Sequence, residues 1–160
     1  ENLVARKFRG FGPRWWKSTT SPFVFGLEDG VRRASEWVVI TEGVFDVLAL
    51  PPGCAVAVLG TGVSDSYIAI IVENLVETNM VIMGLDKGVP EKTRLKLALP
   101  LLDLGYEVVD WNWDDKVFDA TDEYKEVTDL DEVRLAYGDE WILEHTLKLA
   151  GILDADLELL

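Results

Sequence analysis

Apolar and polar positions change rhythm along the 160-residue chain. Residues 1–26 keep no sustained period of two or of 3.6, and Gly, Pro, Ser and Thr punctuate them. They read as an irregular or short-stranded lead-in. Residues 27–36 are helical in character, with Arg32 and Arg33 on the polar side. From Trp37 the pattern is regular. Short apolar runs at Trp37–Thr41 and at residues 55–59, 80–85 and 107–113 predict four buried strands. Between them, residues 45–50, 65–77 and 91–104 predict helices; the second places Ile68, Ile71, Val72, Leu75 and Val76 at helical spacing. Pro51-Pro52-Gly53 stops the first of these helices, Pro100 predicts a kink in the third, and Gly105 ends it. Two more helical patterns, 131–137 and 140–153, close the chain. Strands alternating with helices over short links predict a three-layer α/β sandwich around a four-stranded, mainly parallel sheet, with extra C-terminal helices. The expected organisation is a basic lead-in at 1–26, an α/β domain at 27–127 and a helical extension at 128–160.

Composition supports one ordinary domain with an appendage. Hydrophobic residues make up 49% of the chain, ample for a core. No apolar run approaches the ~18–20 residues of a membrane span, so no membrane partner is expected. The start, Glu1-Asn2-Leu3, carries neither an initiator Met nor a signal peptide, which leads to the expectation of a piece cut from a longer protein. The single cysteine, Cys54, lies in an apolar run; it fits a reduced, cytoplasmic setting and a core position better than a nucleophile. The net charge of −14 is uneven. Residues 1–33 hold seven basic side chains against three acidic ones, a balance of +4, and the remainder holds eight against 26, a balance of −18. An acidic body repels nucleic acid, whereas a basic, aromatic arm attracts it. Arg6, Lys7, Arg9, Arg14 and Lys17, with Phe8, Trp15 and Trp16, are candidates for phosphate pairing and base stacking; aromatics packed on the α/β body explain the same stretch.

The candidate chemistry is acidic. Glu42 follows the first regular strand, Asp86 the third, and Asp119 with Asp122 lies in the loop after the fourth. Asp46 joins from the first helix, four residues after Glu42. A parallel sheet brings its carboxyl ends to one rim, where open α/β sheets bind ligands. Several carboxylates at one rim repel unless a cation lies between them. With one His and one Cys in the chain the donors are oxygens, which favours Mg²⁺ or Mn²⁺ over zinc. Asp114, Asp115 and Glu123 suit helix caps or a solvated loop, and His145 suits packing. Gly60-Thr61-Gly62 suits a phosphate cradle, with Thr61 offering its hydroxyl, and equally a tight turn.

These residues resemble the Toprim domain of primases, topoisomerases and RecR-type repair proteins. Glu42-Gly43-Val44-Phe45-Asp46-Val47-Leu48-Ala49-Leu50 resembles the E-G-x-x-D-x-(L/I)-A-L form of the bacterial and phage primase branch. Val58-Leu59-Gly60-Thr61-Gly62 is similar to that branch's second strand and turn. Leu85-Asp86-Lys87-Gly88 stands at the D-x-D position, and Asp119-Ala120-Thr121-Asp122 resembles the later acidic segment. The resemblance implies a Rossmann-like Toprim fold and an Mg²⁺- or Mn²⁺-dependent nucleotidyl transferase making RNA primers on single-stranded DNA from nucleoside triphosphates. It implies Glu42 as catalytic acid/base or metal-associated carboxylate, and Asp46, Asp86, Asp119 and Asp122 as metal ligands. Lys87 is a candidate phosphate contact, and a replicative helicase a candidate partner. One position departs from the pattern: the second Asp of D-x-D is Gly88, which removes an expected second-metal ligand. A phosphodiester nuclease and a non-catalytic nucleic-acid or nucleotide-binding module are the alternatives.

Overall fold

The computed structural model describes residues 5–7, 15–17, 24–27, 36–58, 65–75, 78–111, 113 and 127–152. In the lead-in, β1 (Ala5–Lys7) and β2 (Trp15–Lys17) pair antiparallel, with Arg6 opposite Trp16, so the short-stranded reading is the one realised there. Of the helix expected over 27–36, residues 28–35 lie outside the described residues, and Leu27 sits in a turn.

The body is built from β3 (Trp37–Thr41), α1 (Val44–Leu48), β4 (Ala55–Ala57), α2 (Asp65–Asn74), β5 (Met80–Gly84), α3 (Glu91–Asp103), β6 (Glu107–Asp110), α4 (Leu130–Tyr137) and α5 (Asp139–Leu149). Its sheet has the order β4-β3-β5-β6 and every pair is parallel. Register is set across the centre by Trp37 opposite Met80 and Thr41 opposite Gly84. Every residue of β3 is buried, because strands flank it on both edges and helices cover both faces.

Alternation along the strands divides the core in two. Val38, Ile40, Val81 and Met83 point to one side and pack with Ile68, Ile71 and Leu75 around α2 and with Leu97, Ala98 and Leu101 of α3. Trp37, Val39 and Ile82 point to the other and meet Ala49 and Leu50 after α1, Leu130 and Val133 of α4, and Ile142 of α5. The C-terminal helices therefore complete a layer of the sandwich: the five residues of α1 are too few to cover that face alone.

The elements are shorter than their apolar runs suggested. β6 ends at Asp110, the Trp111 N–H makes a last bond to the Met83 carbonyl of β5 at 3.1 Å, and Trp111 and Trp113, which extended the strand pattern, are core residues. The Trp113 indole N–H donates to the Leu85 carbonyl at 2.8 Å, which ties the exit of β6 to the exit of β5. α2 stops at Asn74, whose side-chain amide donates to the Ile70 carbonyl at 2.7 Å and so competes with a further helical turn. Pro100 is accommodated inside α3. The outer edge of β4 is closed by Phe25, which exchanges both backbone hydrogen bonds with Ala57 at 3.0 and 2.9 Å. Gly26 permits that approach: at φ 93° a Cβ would stand 2.7 Å from the Ala55 carbonyl oxygen. Cys54 is half-buried at the margin of the second cluster, less enclosed than its sequence run suggested.

At Gly84 the sheet and α4 come closest. A Cβ there would lie 2.8 Å from both Leu130 Cδ1 and Val39 Cγ1, whose residues are wholly buried. Gly84→Ala is therefore expected to destabilise the fold by about 1–3 kcal/mol in urea unfolding, the usual cost of overpacking a filled core; a change under about 0.5 kcal/mol would show that α4 is free to move away from the sheet.

Candidate functional site

The chain leaves β3 towards β4 on one side, and leaves β5 towards β6 on the other. The carboxyl ends of these two neighbours therefore diverge, and open α/β sheets present their ligand crevice at such a point. Glu42 is the first residue beyond β3 and Asp86 the second beyond β5.

The turn that holds Glu42 is fixed by Thr41, Gly43 and Asp46. Thr41 is fully buried, and its hydroxyl donates to the Gly43 carbonyl at 3.2 Å. The Gly43 N–H donates to Asp46 Oδ2 at 3.0 Å. A Cβ on Gly43 would stand 2.7 Å from that oxygen, so only glycine lets the Asp46 carboxylate fold back over the turn. Asp46 Oδ1 accepts the Asp131 N–H at 3.3 Å, which ties α1 to the start of α4. Asp46 thus faces inward, 5% exposed, with a backbone N–H on each oxygen.

Around Asp86 the chain turns sharply. The Val89 N–H donates to the Asp86 carbonyl at 3.2 Å, and Gly88 takes φ 87°, a left-handed conformation that disfavours an aspartate. The Lys87 N–H donates to the Thr128 carbonyl at 2.8 Å, so this turn abuts the entrance of α4. There Asp129 caps the helix, accepting the Glu132 N–H at 2.7 Å, and Glu132 Oε2 in turn accepts from the N–H and hydroxyl of Thr128 at 2.8 and 2.9 Å.

These carboxylates feel one another. Burial pushes Glu42 up to about 6, the Asp86 charge pushes further in the same direction, and the Arg94 guanidinium opposes both. Burial also raises Asp46, to about 7, with Asp129 and Asp86 adding repulsion and the two backbone N–H groups opposing it. Asp86 is raised by burial and then by Asp129 and Glu132, again against Arg94. Glu42 Oε1 is buried with no hydrogen-bond partner. Its oxygen donors and its concentrated negative charge suit a hard divalent cation. Among the described residues, however, no three such side chains close to metal-holding separations.

Of the residues singled out from sequence, Glu42, Asp46 and Asp86 come to one rim, and Lys87 lies in the same turn as Asp86. Thr61, Asp119, Asp122, Arg9 and Arg14 lie outside the described residues. Arg6, Lys7 and Lys17 are in β1 and β2. His145 is a packing residue: its ring stacks on Trp141 at 4.9 Å and 10° and tilts against Trp111 at 4.9 Å and 53°. Asp129, Glu132 and Arg94 were not foreseen. Asp129 was signalled by the capping pattern Asp129-Leu130-Asp131-Glu132, an acidic N-cap with glutamate three residues on. Arg94 carried no signal beyond its place early in the helix after Asp86.

Solved structures settle the architecture. The chain is similar to the crystal structure of the Aquifex aeolicus primase (zinc-binding and RNA polymerase domains), with a TM-score of 0.59 and 22% identity over 91% of this chain and 35% of that one. It is also similar to a DNA primase domain from Pseudomonas aeruginosa, with a TM-score of 0.62 and 19% identity over 90% of this chain and 46% of that one. The chain shares the α/β fold of these primase domains. The chain spans between a third and a half of the primase structures it matches. No protein-family model matches it, and no curated protein matches it significantly by sequence. Among the described residues no helix is long and apolar enough to cross a membrane.

The electrostatics of this rim fix a pH dependence. Glu42 and Asp46 hold their protons more tightly when folded than in the unfolded chain, where they ionise near 4.5 and 3.8. Folded protein therefore retains protons that unfolded protein has lost, and stability falls as pH rises through that window. In metal-free buffer the unfolding free energy is expected to decline between about pH 4 and about pH 7. Asp46→Asn, which removes the most strongly raised of these titrations, should flatten that decline; equal slopes in urea titrations of the two proteins would contradict the buried, repelled carboxylate.

Proposed function

We propose that the chain is the catalytic core of a primase-like replication protein, which joins nucleoside triphosphates into an RNA primer on a single-stranded DNA template. The observation that carries this reading is the approach of Glu42 and Asp86 at the diverging ends of β3 and β5 within a primase-like fold, with one buried Glu42 oxygen left unpartnered. Glu42 and Asp86 would hold Mg²⁺ or Mn²⁺, with Asp119 and Asp122 as further candidates from the sequence resemblance. A divalent ion there would neutralise nucleotide phosphates and favour ionisation of the primer 3′-hydroxyl.

The chain's own residues supply the rest. Without metal on it, Glu42 has its proton affinity raised to about 6, so it is largely ionised near neutrality and, acting as acid/base rather than as ligand, would accept a proton from an attacking hydroxyl. Asp46, engaged with two backbone N–H groups, shapes the turn beneath Glu42, and any ligand role would use its remaining lone pairs. Lys87 would meet phosphate as a point charge. The basic lead-in, with Arg6, Lys7, Arg9, Arg14 and Lys17, would track the template backbone. A replicative helicase remains a candidate partner of the whole protein, and a cytoplasmic site of action accords with a replication role.

A second reading is favoured by Gly88. At φ 87° it supplies no carboxylate, and its backbone conformation suits an aspartate poorly. On that reading the domain is a non-catalytic module that binds nucleic acid or nucleotide.

Primer synthesis with Mg²⁺ or Mn²⁺, single-stranded template and nucleoside triphosphates tests the first reading. Glu42→Gln should reduce synthesis by about 10²-fold or more, the usual worth of a positioned acid or base. Unchanged synthesis would remove Glu42 from the chemistry. Template binding by a wild-type chain that takes up no Mg²⁺ in calorimetry and extends no primer would establish the second reading instead.

A further inference from the structure

We propose that Arg94 is the positioning residue of this site: its guanidinium fixes the turn that presents Asp86 by hydrogen-bonding both ends of that turn and anchoring them to the end of β6. The importance of the turn rests on the proposed role of the Glu42–Asp86 rim; the bracing itself does not.

The geometry is specific to a guanidinium. Arg94 lies in the first turns of α3 with its side chain 15% exposed. Nη2 donates to the Asp86 carbonyl at 3.0 Å and Nε to the Val89 carbonyl at 3.3 Å, which are the two ends of the Asp86-Lys87-Gly88-Val89 turn. Nη1 donates to the carboxylate of Asp110, the last residue of β6. Three donors of one rigid fork thus meet three acceptors on two segments, which the single ammonium of lysine cannot do.

Val89 packs at the edge of the first core cluster, but the middle of the turn has little packing to hold it. A Cβ at Gly88 would find nothing within 4 Å, Gly88 itself is exposed, and Lys87 is only half-buried. There the turn is held by hydrogen bonding: the Val89 N–H on the Asp86 carbonyl at 3.2 Å within it, Arg94 on one side, and the Lys87 N–H on the Thr128 carbonyl at 2.8 Å on the other. Asp110 is 46% exposed, so its ion pair with Arg94 adds little to global stability. Its contribution is directional, because it sets the plane in which the other two donors reach the carbonyls.

Residue-resolved amide hydrogen exchange of the whole chain, without metal, tests this directly. In Arg94→Lys the Val89 and Lys87 amides should exchange about tenfold faster, the effect of losing roughly one hydrogen bond. Amides of β3 should keep their wild-type rates. Unchanged protection at Val89 and Lys87 would overturn the proposal. Where Arg94→Lys lowers protection everywhere, Asp110→Ala decides. Faster exchange confined to residues 86–89 supports the bracing role, and wild-type protection there refutes it.

Mn²⁺ titration by calorimetry on the same proteins separates this inference from the proposed function. Weaker Mn²⁺ binding in Arg94→Lys, with β3 protection intact, supports a positioned Asp86. A wild-type chain that binds no Mn²⁺ counts against the catalytic reading, while the exchange data still judge Arg94.

Discussion

The structure depends on one constraint: β3 is buried on both faces and flanked on both edges, yet the residue directly after it is a carboxylate. A five-residue strand in that position must have a helical layer on each side and a parallel neighbour on each edge. α2 and α3 supply one layer; α1, α4 and α5 supply the other. These helices pack on the sheet through the two apolar clusters. Gly84 shows how close the fit is, since even a methyl group there would meet Leu130 and Val39.

Gathering strand ends at one rim also gathers charge, and the fold offsets that charge with backbone dipoles and one arginine. Asp46 is met by the N–H groups of Gly43 and Asp131, Asp129 by that of Glu132, and Glu132 by that of Thr128. Arg94 lowers the proton affinity of Glu42 and Asp86 against the upward push of burial and of neighbouring carboxylates. The offset is partial: Glu42 and Asp46 remain raised to about 6 and about 7, and Glu42 Oε1 has no donor. A rim left short of positive charge has the electrostatic character of a site prepared for a cation or for proton transfer. The exchange of a carboxylate for Gly88, at a backbone conformation suited to glycine, makes this rim sparser than the D-x-D pattern of the Toprim resemblance.

The fold was legible from residue order to a large degree. The strand–turn–helix at Trp37–Leu50 follows from an apolar run, a glycine and an apolar helix, and Asp86 was visible as the carboxylate beyond the third run. Boundaries were less legible where side chains serve two ends. Trp111 and Trp113 look like strand residues because they are apolar, but β6 ends before them and they are buried in the core cluster that includes Ile142 of α5. The inward turn of Asp46 was hidden, because its partner Asp131 lies 85 residues away and donates through its backbone. Arg94 was equally hidden: a polar residue on an amphipathic helix gives no sign of which loop it reaches.

The sequence by itself therefore determined the elements, the parallel α/β class and the carboxylates at strand ends, because these depend on local periodicity and on chain order. Tertiary structure decided the strand order β4-β3-β5-β6, which makes Glu42 and Asp86 neighbours, and it recruited α4 and α5 to cover the second face. It also decided which carboxylate turns inward and which guanidinium braces the rim. Those outcomes depend on distances between segments remote in sequence, and only the packed chain sets such distances.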